Sequence, residues 1–218
     1  MTGFPGSPKL IRAGLVLISP ESGAVERIIT LQYAPETLSR QLEAQAMEGE
    51  SHRSQPLRLR APAVETISLE ATIDATDQLE TPDRHQTTVE AGIFPALSAL
   101  ETMLYPTTAQ LERQNAQAAA GSFEIAPAET PLALLVWSAR RIVPVRMNSI
   151  QITEEFFDPN LNPIRAKLSL SLRVLSVEDL GFNHRGSGIF MAYLQAKEQL
   201  AARAEGGSLD ALGAGGAL

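Results

Sequence analysis

Between Pro163 and Val174 the chain alternates strictly between apolar and polar residues, and this alternation limits what it can fold into more than any other feature. Ile164, Ala166, Leu168, Leu170, Leu172 and Val174 share one parity; Arg165, Lys167, Ser169, Ser171 and Arg173 share the other. Side chains alternate faces along a strand, so the spacing predicts a long β-strand with one dry face and one basic-polar face. The preceding Asp158-Pro-Asn-Leu-Asn-Pro163 is dense in turn formers, and another long run, Ile142–Phe157, comes before it. Together they predict a long antiparallel hairpin. In its first arm the apolar parity shifts near Asn148-Ser149: Val143, Val145 and Met147 give way to Ile150 and Ile152. A one-residue change of phase is what a β-bulge produces. Pro144 lacks a ladder donor, which places that end at a sheet edge or a bulge.

Shorter runs extend the β pattern. Lys9–Ile18 and Val25–Tyr33, joined by Ser19-Pro-Glu-Ser-Gly23, read as a first hairpin ended by Ala34-Pro35. Val64–Asp74 alternates, with Ile67, Leu69, Ala71 and Ile73 inward, and Leu132–Ser138 is an apolar strand holding Trp137. Two segments have helical spacing: Phe94–Tyr105, with Pro95 in its first turn, and Ile189–Ala204. Glu36–Ala46 reads as a short helix or a connector, residues 75–88 as a polar loop and Thr108–Ala119 as an exposed helix. The expected fold class is mainly β (α+β): an antiparallel sandwich or barrel with a long hairpin, one interior helix and a C-terminal helix. The expected organisation is a flexible arm at 1–8, a β domain at 9–180, a helical extension at 181–204 and a disordered glycine-rich tail at 205–218.

Composition narrows function by exclusion. With 218 residues and 44% apolar content the chain can bury a sizeable core. A net charge of −7 argues against nucleic acid as a general partner, since phosphate binding needs a basic footprint. With no cysteine there is no disulfide, no thiolate nucleophile and no cysteine metal cluster. No secretory signal pattern opens the chain, and no run reaches the ~18 apolar residues of a membrane helix, so a soluble product without direct membrane insertion is expected, cytoplasmic on synthesis.

Candidate chemistry is sparse. His52, His85 and His184 lie in separate polar or glycine-rich loops, too scattered for the convergent donors of a metal site. Glu154 and Glu155 are adjacent strand residues, point to opposite faces and cannot share one substrate. Ser187 lies in Gly-Ser-Gly without the strand–Gly-x-Ser-x-Gly–helix setting of a nucleophile elbow. Arg140-Arg141 reads as a turn with solvated charges. No catalytic, cofactor-binding or metal residue is expected. The polar row Arg165, Lys167, Ser169, Ser171 and Arg173, with Glu154 and Phe156 near the hairpin tip, remains as a candidate assembly interface. It is either a solvated face that blocks aggregation or a subunit contact or channel lining.

An ordered set of segments carries a resemblance. It comprises Leu15-Val-Leu-Ile-Ser-Pro-Glu-Ser-Gly23, Leu31-Gln-Tyr-Ala-Pro-Glu36, Val64–Asp74, the Leu-x-x-Leu-x-x-x-Leu-Tyr-Pro count of Leu97–Pro106, Leu134-Leu-Val-Trp137 and Pro163–Leu172. Over roughly residues 9–177 this order resembles the N-terminal domain of contractile-injection-system tube proteins. The resemblance implies a baseplate or inner-tube adaptor akin to phage tail-tube initiators: a six-fold homo-oligomeric ring between inner tube and spike, contacting other baseplate subunits within an assembled injection particle. Many such proteins continue into a LysM domain; here a helix and a glycine-rich tail follow instead. The alternative is a monomeric β-rich module that binds a peptide or small ligand.

Overall fold

A computed structural model of the chain describes residues 13–19, 22–31, 35, 37–46, 58–121, 130–204 and 206. The proposed arm at 1–8, His52 in the polar loop at 48–56, and nearly all of the tail at 205–218 lie outside the described residues.

Seven strands form one antiparallel sheet: β1 (Gly14–Ile18), β2 (Val25–Thr30), β3 (Leu38–Ala46), β4 (Leu59–Asp74), β5 (Leu132–Ser138), β6 (Arg141–Phe157) and β7 (Pro163–Val174). Their order across the sheet is β2-β1-β5-β6-β7-β4-β3. The mainly β class expected from the alternating runs is what the chain adopts. The hairpin β6–β7 occupies the centre, flanked by β5 and β4. At the ends, β2 pairs with β1 alone and β3 with β4 alone among the described residues.

The bulge falls where the phase shift places it. Met147 pairs with Leu172 and Ser149 with Ser171, so Asn148 is the extra residue. This keeps Met147, Ile150 and Ile152 on the face shared with Leu172, Leu170 and Leu168. Pro144 lies at neither a sheet edge nor the Asn148 bulge but within the central strand, opposite Leu134 of β5. Its carbonyl accepts from Leu175 N at 2.9 Å, one residue past the end of β7. The side on which proline lacks a donor therefore faces the end of the neighbouring ladder, where its cost is smallest.

One face of the sheet carries the main core. Leu15, Ile67, Leu135, Val143, Leu168, Leu170 and Leu172 are all but inaccessible there. Burying each such side chain contributes about 1.5–3 kcal/mol. Leu97 and Leu100 of α3 (Phe94–Glu101) and Phe190 and Tyr193 of α6 (Arg185–Ala201) join the same cluster. A second, smaller cluster of Ile18, Leu132 and Leu134 uses the opposite parity of β1 and β5 and packs with Leu180 of α5 (Val177–Leu180) and with Ile189. The C-terminal helix thus begins at Arg185, inside the expected glycine-rich turn.

Two local expectations change. Residues 38–46 form the edge strand β3 rather than a helix or connector; pairing with β4 overrides the helix-forming bias of Leu, Gln, Glu and Ala. Residues 75–88 are not a plain loop. They hold α1 (Thr76–Leu79), a 3₁₀ turn at Pro82–Arg84 and the start of α2 (Gln86–Ala91), none of which buries a residue. Thr108–Ala119 is α4, an exposed helix opened by a capping box between Thr107 and Gln110.

Gly92 ties the helical segment to the hairpin. It adopts φ +57°, and a Cβ there would collide with the carbonyl oxygen of Pro163. The next residue, Ile93, donates its N–H to that same oxygen at 2.9 Å.

Candidate assembly interface

Because β7 lies between β4 and β6, its polar parity becomes the middle of three aligned rows. Arg165 sits between Asp74 and Glu155, Lys167 between Thr72 and Thr153, and Ser169 between Glu70 and Gln151. Ser171 lies between Ser68 and Ser149, and Arg173 between Thr66 and Arg146. The face is polar throughout, with charges toward its two ends, Glu70 in the middle row and hydroxyls between. Cross-strand pairing sets Arg165 between two acids, whereas Arg173 faces Arg146.

The row that reads as basic in isolation is largely neutralised in the fold. Lys167 Nζ is 2.8 Å from Glu155 Oε1, Arg165 Nε lies 3.7 Å from Glu155 and 3.9 Å from Asp74, and Arg173 reaches Asp179 at 2.7 Å. Burial pushes the Asp74 carboxyl up, but hydrogen bonds from the Thr76 hydroxyl and N–H, with the charge of Arg165, hold it below the ordinary range. The Nε atoms of Arg165 and Arg173 are buried yet donate no hydrogen bond to a described residue. A groove of about 980 Å³ runs over this face, with Pro35 and Thr37 on its β3 side and Thr153 and Gln151 on its β6 side.

The structure brings Arg165, Lys167, Ser169, Ser171 and Arg173 onto one surface and leaves the other two candidates off it. Glu154 pairs with Ala166, so it belongs to the opposite parity. Phe156 is exposed at the hairpin tip with φ +54°. Glu155, not Glu154, is the acidic partner of the row; the cross-strand register, which the sequence does not state, makes the difference.

The tip itself is tightly built. Asp158 Oδ1 accepts from the N–H groups of Asn160 and Asn162, both at 2.8 Å, and Oδ2 accepts from Asn162 Nδ2 at 2.8 Å. The hydrogen bonds from Asn162 and Asn160 lower the Asp158 carboxyl below its ordinary range. This carboxylate holds a turn in which Phe156 and Leu161 both have positive φ, a conformation that costs on the order of 1–3 kcal/mol for each non-glycine residue.

A buried ion cluster escaped the reading of the sequence. Glu65 shares the inward parity of Ile67 and Leu69, and its side chain is only 4% exposed. It accepts from Arg40 Nε of β3 at 2.6 Å, from Lys197 Nζ of α6 at 2.8 Å and from Tyr193 Oη at 3.0 Å. Lys197 also lies 4.1 Å above the Tyr193 ring. Burial alone would push the Glu65 carboxyl up; the hydrogen bonds from Arg40, Lys197 and Tyr193 with the Lys197 charge outweigh it and hold the group low. A lone acid inside an alternating apolar run is the signal that would have found it.

The other candidates resolve into local roles. His184 caps α6 through Nδ1, which accepts from Gly186 N at 3.0 Å, and Ser187 Oγ donates to the Gly181 carbonyl at 2.6 Å. Among the described residues no cluster of three or more His, Cys, Asp or Glu could hold a metal, and no helix is long and apolar enough to cross a membrane.

No family model matches the chain, and no curated protein matches it. Among solved structures it is similar to the tail of an empty gene transfer agent particle, refined helically with C6 symmetry, at 14% identity and a TM-score of 0.29. That match covers 75% of this chain and 90% of the other. It is similar also to a chain of the virion of a native gene transfer agent particle, at 13% identity and a TM-score of 0.27, covering 74% and 90%. Superpositions this loose carry no argument for function.

Proposed function

We propose that the chain is a non-enzymatic structural subunit of a phage-tail-like particle, forming a six-fold ring that joins inner tube to spike. The observation that carries this reading is the pair of sheet edges that have no partner strand among the described residues. β3 is nine residues long with Leu42 exposed, and β2 exposes Val25 and Ile28. Long open edges carrying apolar residues are a liability in a solitary protein and a resource in an assembly. Pairing β2 of one copy with β3 of the next is a heterologous contact, which repeats around an axis and closes into a ring. The three-stranded polar face, with Arg165, Lys167, Ser169, Ser171 and Arg173 at its centre, then lines the lumen or meets the neighbouring subunit. The order of sequence segments resembling injection-system tube proteins supports the same reading.

The test is assembly. Purified protein, alone and with its inner-tube and spike partners, is expected to give rings in negative-stain images and a six-fold mass in solution. The variant Lys167→Glu/Arg173→Glu is expected to keep its circular dichroism spectrum and lose the rings. A monomer under every condition, with that variant supporting normal particles, would overturn the proposal.

A further inference from the structure

The two ends of the central hairpin carry features of opposite shape and opposite charge. At the tip, Phe156, Phe157 and Leu161 are 67%, 49% and 75% exposed, an apolar knob projecting beside the acidic Glu154 and Asp158. The Asp158 hydrogen bonds fix the turn in this shape, so the knob is presented before any partner arrives. A non-glycine turn that holds two large apolar residues at positive φ and exposes both is a site of interaction rather than of core packing.

At the other end, the first residues of β6 and the segment after β7 border a groove of about 500 Å³. Met103, Tyr105, Leu175 and Leu180 give it apolar walls. Arg27 and Arg146 outnumber Glu26 among its charged residues, and Arg146 is exposed. Arg146 and Phe156 are ten positions apart on one strand, which puts knob and groove roughly 33 Å from each other along β6. The knob therefore does not reach the groove of its own chain.

We infer that the hairpin tip of one copy docks into the groove of a second copy, giving a head-to-tail contact along the hairpin axis. Charge selects this occupant. Two acidic tips repel, whereas an acidic tip and a basic-lined groove attract. The apolar side chains of the knob suit a groove of this volume, which lies in the range of pockets that bury compact ligands. Knob and groove are different patches on the same molecule, so the contact is heterologous and propagates as a closed ring or an open stack. Of the edge strands it uses only Glu26 and Arg27 of β2, which border the groove, and it does not require the lateral ring proposed above.

The absence of cysteine makes the test direct. In the full chain, Phe156→Cys with Tyr105→Cys, treated with a short bis-maleimide, is expected to give a ladder of dimers, trimers and higher species on a denaturing gel. Either single variant should stay at background, and an equimolar mixture of the two should stop at the dimer. Leu161→Cys with Thr130→Cys provides a second pair should the first disturb folding. Raising the salt concentration, or adding Arg146→Glu, should reduce the ladder several-fold. The same ladder is expected in a Lys167→Glu background, which leaves Arg146 and its neighbour Arg173 intact, so the polar face and this contact are tested separately. Absence of a ladder from both pairs, or self-linking of the lone Phe156→Cys variant as efficient as the double variant, would overturn the inference.

Discussion

Glu65 and Lys197 are 132 positions apart in the chain and 2.8 Å apart in the fold. Their contact fastens the C-terminal helix to the inner face of β4, while Arg40 brings the edge strand β3 to the same carboxylate. Removing the acid leaves two cations and a hydroxyl around an uncharged gap; removing Lys197, itself one-third exposed, leaves Glu65 still held by Arg40 and Tyr193. Glu65→Ala should therefore destabilise by about 2–3 kcal/mol, below the full range for a deeply buried pair because Arg40 and Lys197 can turn to water. Lys197→Ala should cost about 0.5–1 kcal/mol. Urea unfolding of the two variants checks the ordering, and equal losses would show that the helix contact dominates.

The same carboxylate sets a response to acid. Its folded pKa lies below the ordinary value of 4.5, so the stabilisation it supplies is complete above about pH 5 and is lost as pH falls through 4.5 toward the lower folded value. Asp74 acts in the same sense from an ordinary value of 3.8. Urea midpoints measured from pH 7 to pH 3 should fall most steeply below pH 5, and Glu65→Gln should flatten part of that fall. A Glu65→Gln profile parallel to the parent would remove Glu65 as the cause.

Deletions in β6 should separate bulge from ladder. Asn148 is the unmatched residue, so deleting it leaves Met147 opposite Leu172 and Ser149 opposite Ser171, with every later side chain on its present face. That variant should fold, with a loss of about 1 kcal/mol from the altered local twist. Deleting Ile150 instead shifts the remainder of the arm by one position and turns Ile152 away from the core face, which a half-buried strand does not tolerate. Circular dichroism and soluble yield of the two deletions distinguish these outcomes.

Gly92→Ala should be severe and Gly121→Ala mild, although both positions have positive φ. At Gly92 the new methyl group meets the Pro163 carbonyl and breaks the hydrogen bond that Ile93 donates to it; at Gly121 no described residue lies within reach. A loss of at least about 2 kcal/mol is expected at Gly92, seen as a fall of roughly 4–8 °C in the unfolding temperature. At Gly121 the backbone strain alone remains, about 1 kcal/mol.

What the sequence disclosed depended on whether the physics was local. The strict alternation at 163–174 and the phase shift at Asn148 are properties of neighbouring residues, and both appear in the fold as read. The helical spacing of Leu97 and Leu100 likewise identified the helix that packs on the core. β3 was hidden because Leu38–Ala46 contains good helix formers, and the backbone partner that makes it a strand lies in β4, 13 to 31 positions away. Pro144 misled for a similar reason: proline is excluded from a ladder only on the side where its missing donor is needed, and chain order alone does not say where β7 ends. In the candidate interface the row on β7 was plain, but its acidic partners Glu155 and Asp74 come from two other strands. The Glu65 cluster draws on four residues from three elements; the inward acid shows in the alternation of β4, but its partners on β3 and α6 do not.

The strand order has a consequence for how the molecule comes into being. β7 is the only strand that hydrogen-bonds to both β6 and β4 among the described residues, so it joins β2-β1-β5-β6 to β4-β3. Until residues 163–174 have left the ribosome, β2-β1-β5-β6 and β4-β3 have no strand to join them. Late insertion of a central strand, which pairs with residues about 100 positions earlier, makes folding slow and leaves the flanking strands open to chaperones or to a waiting neighbour.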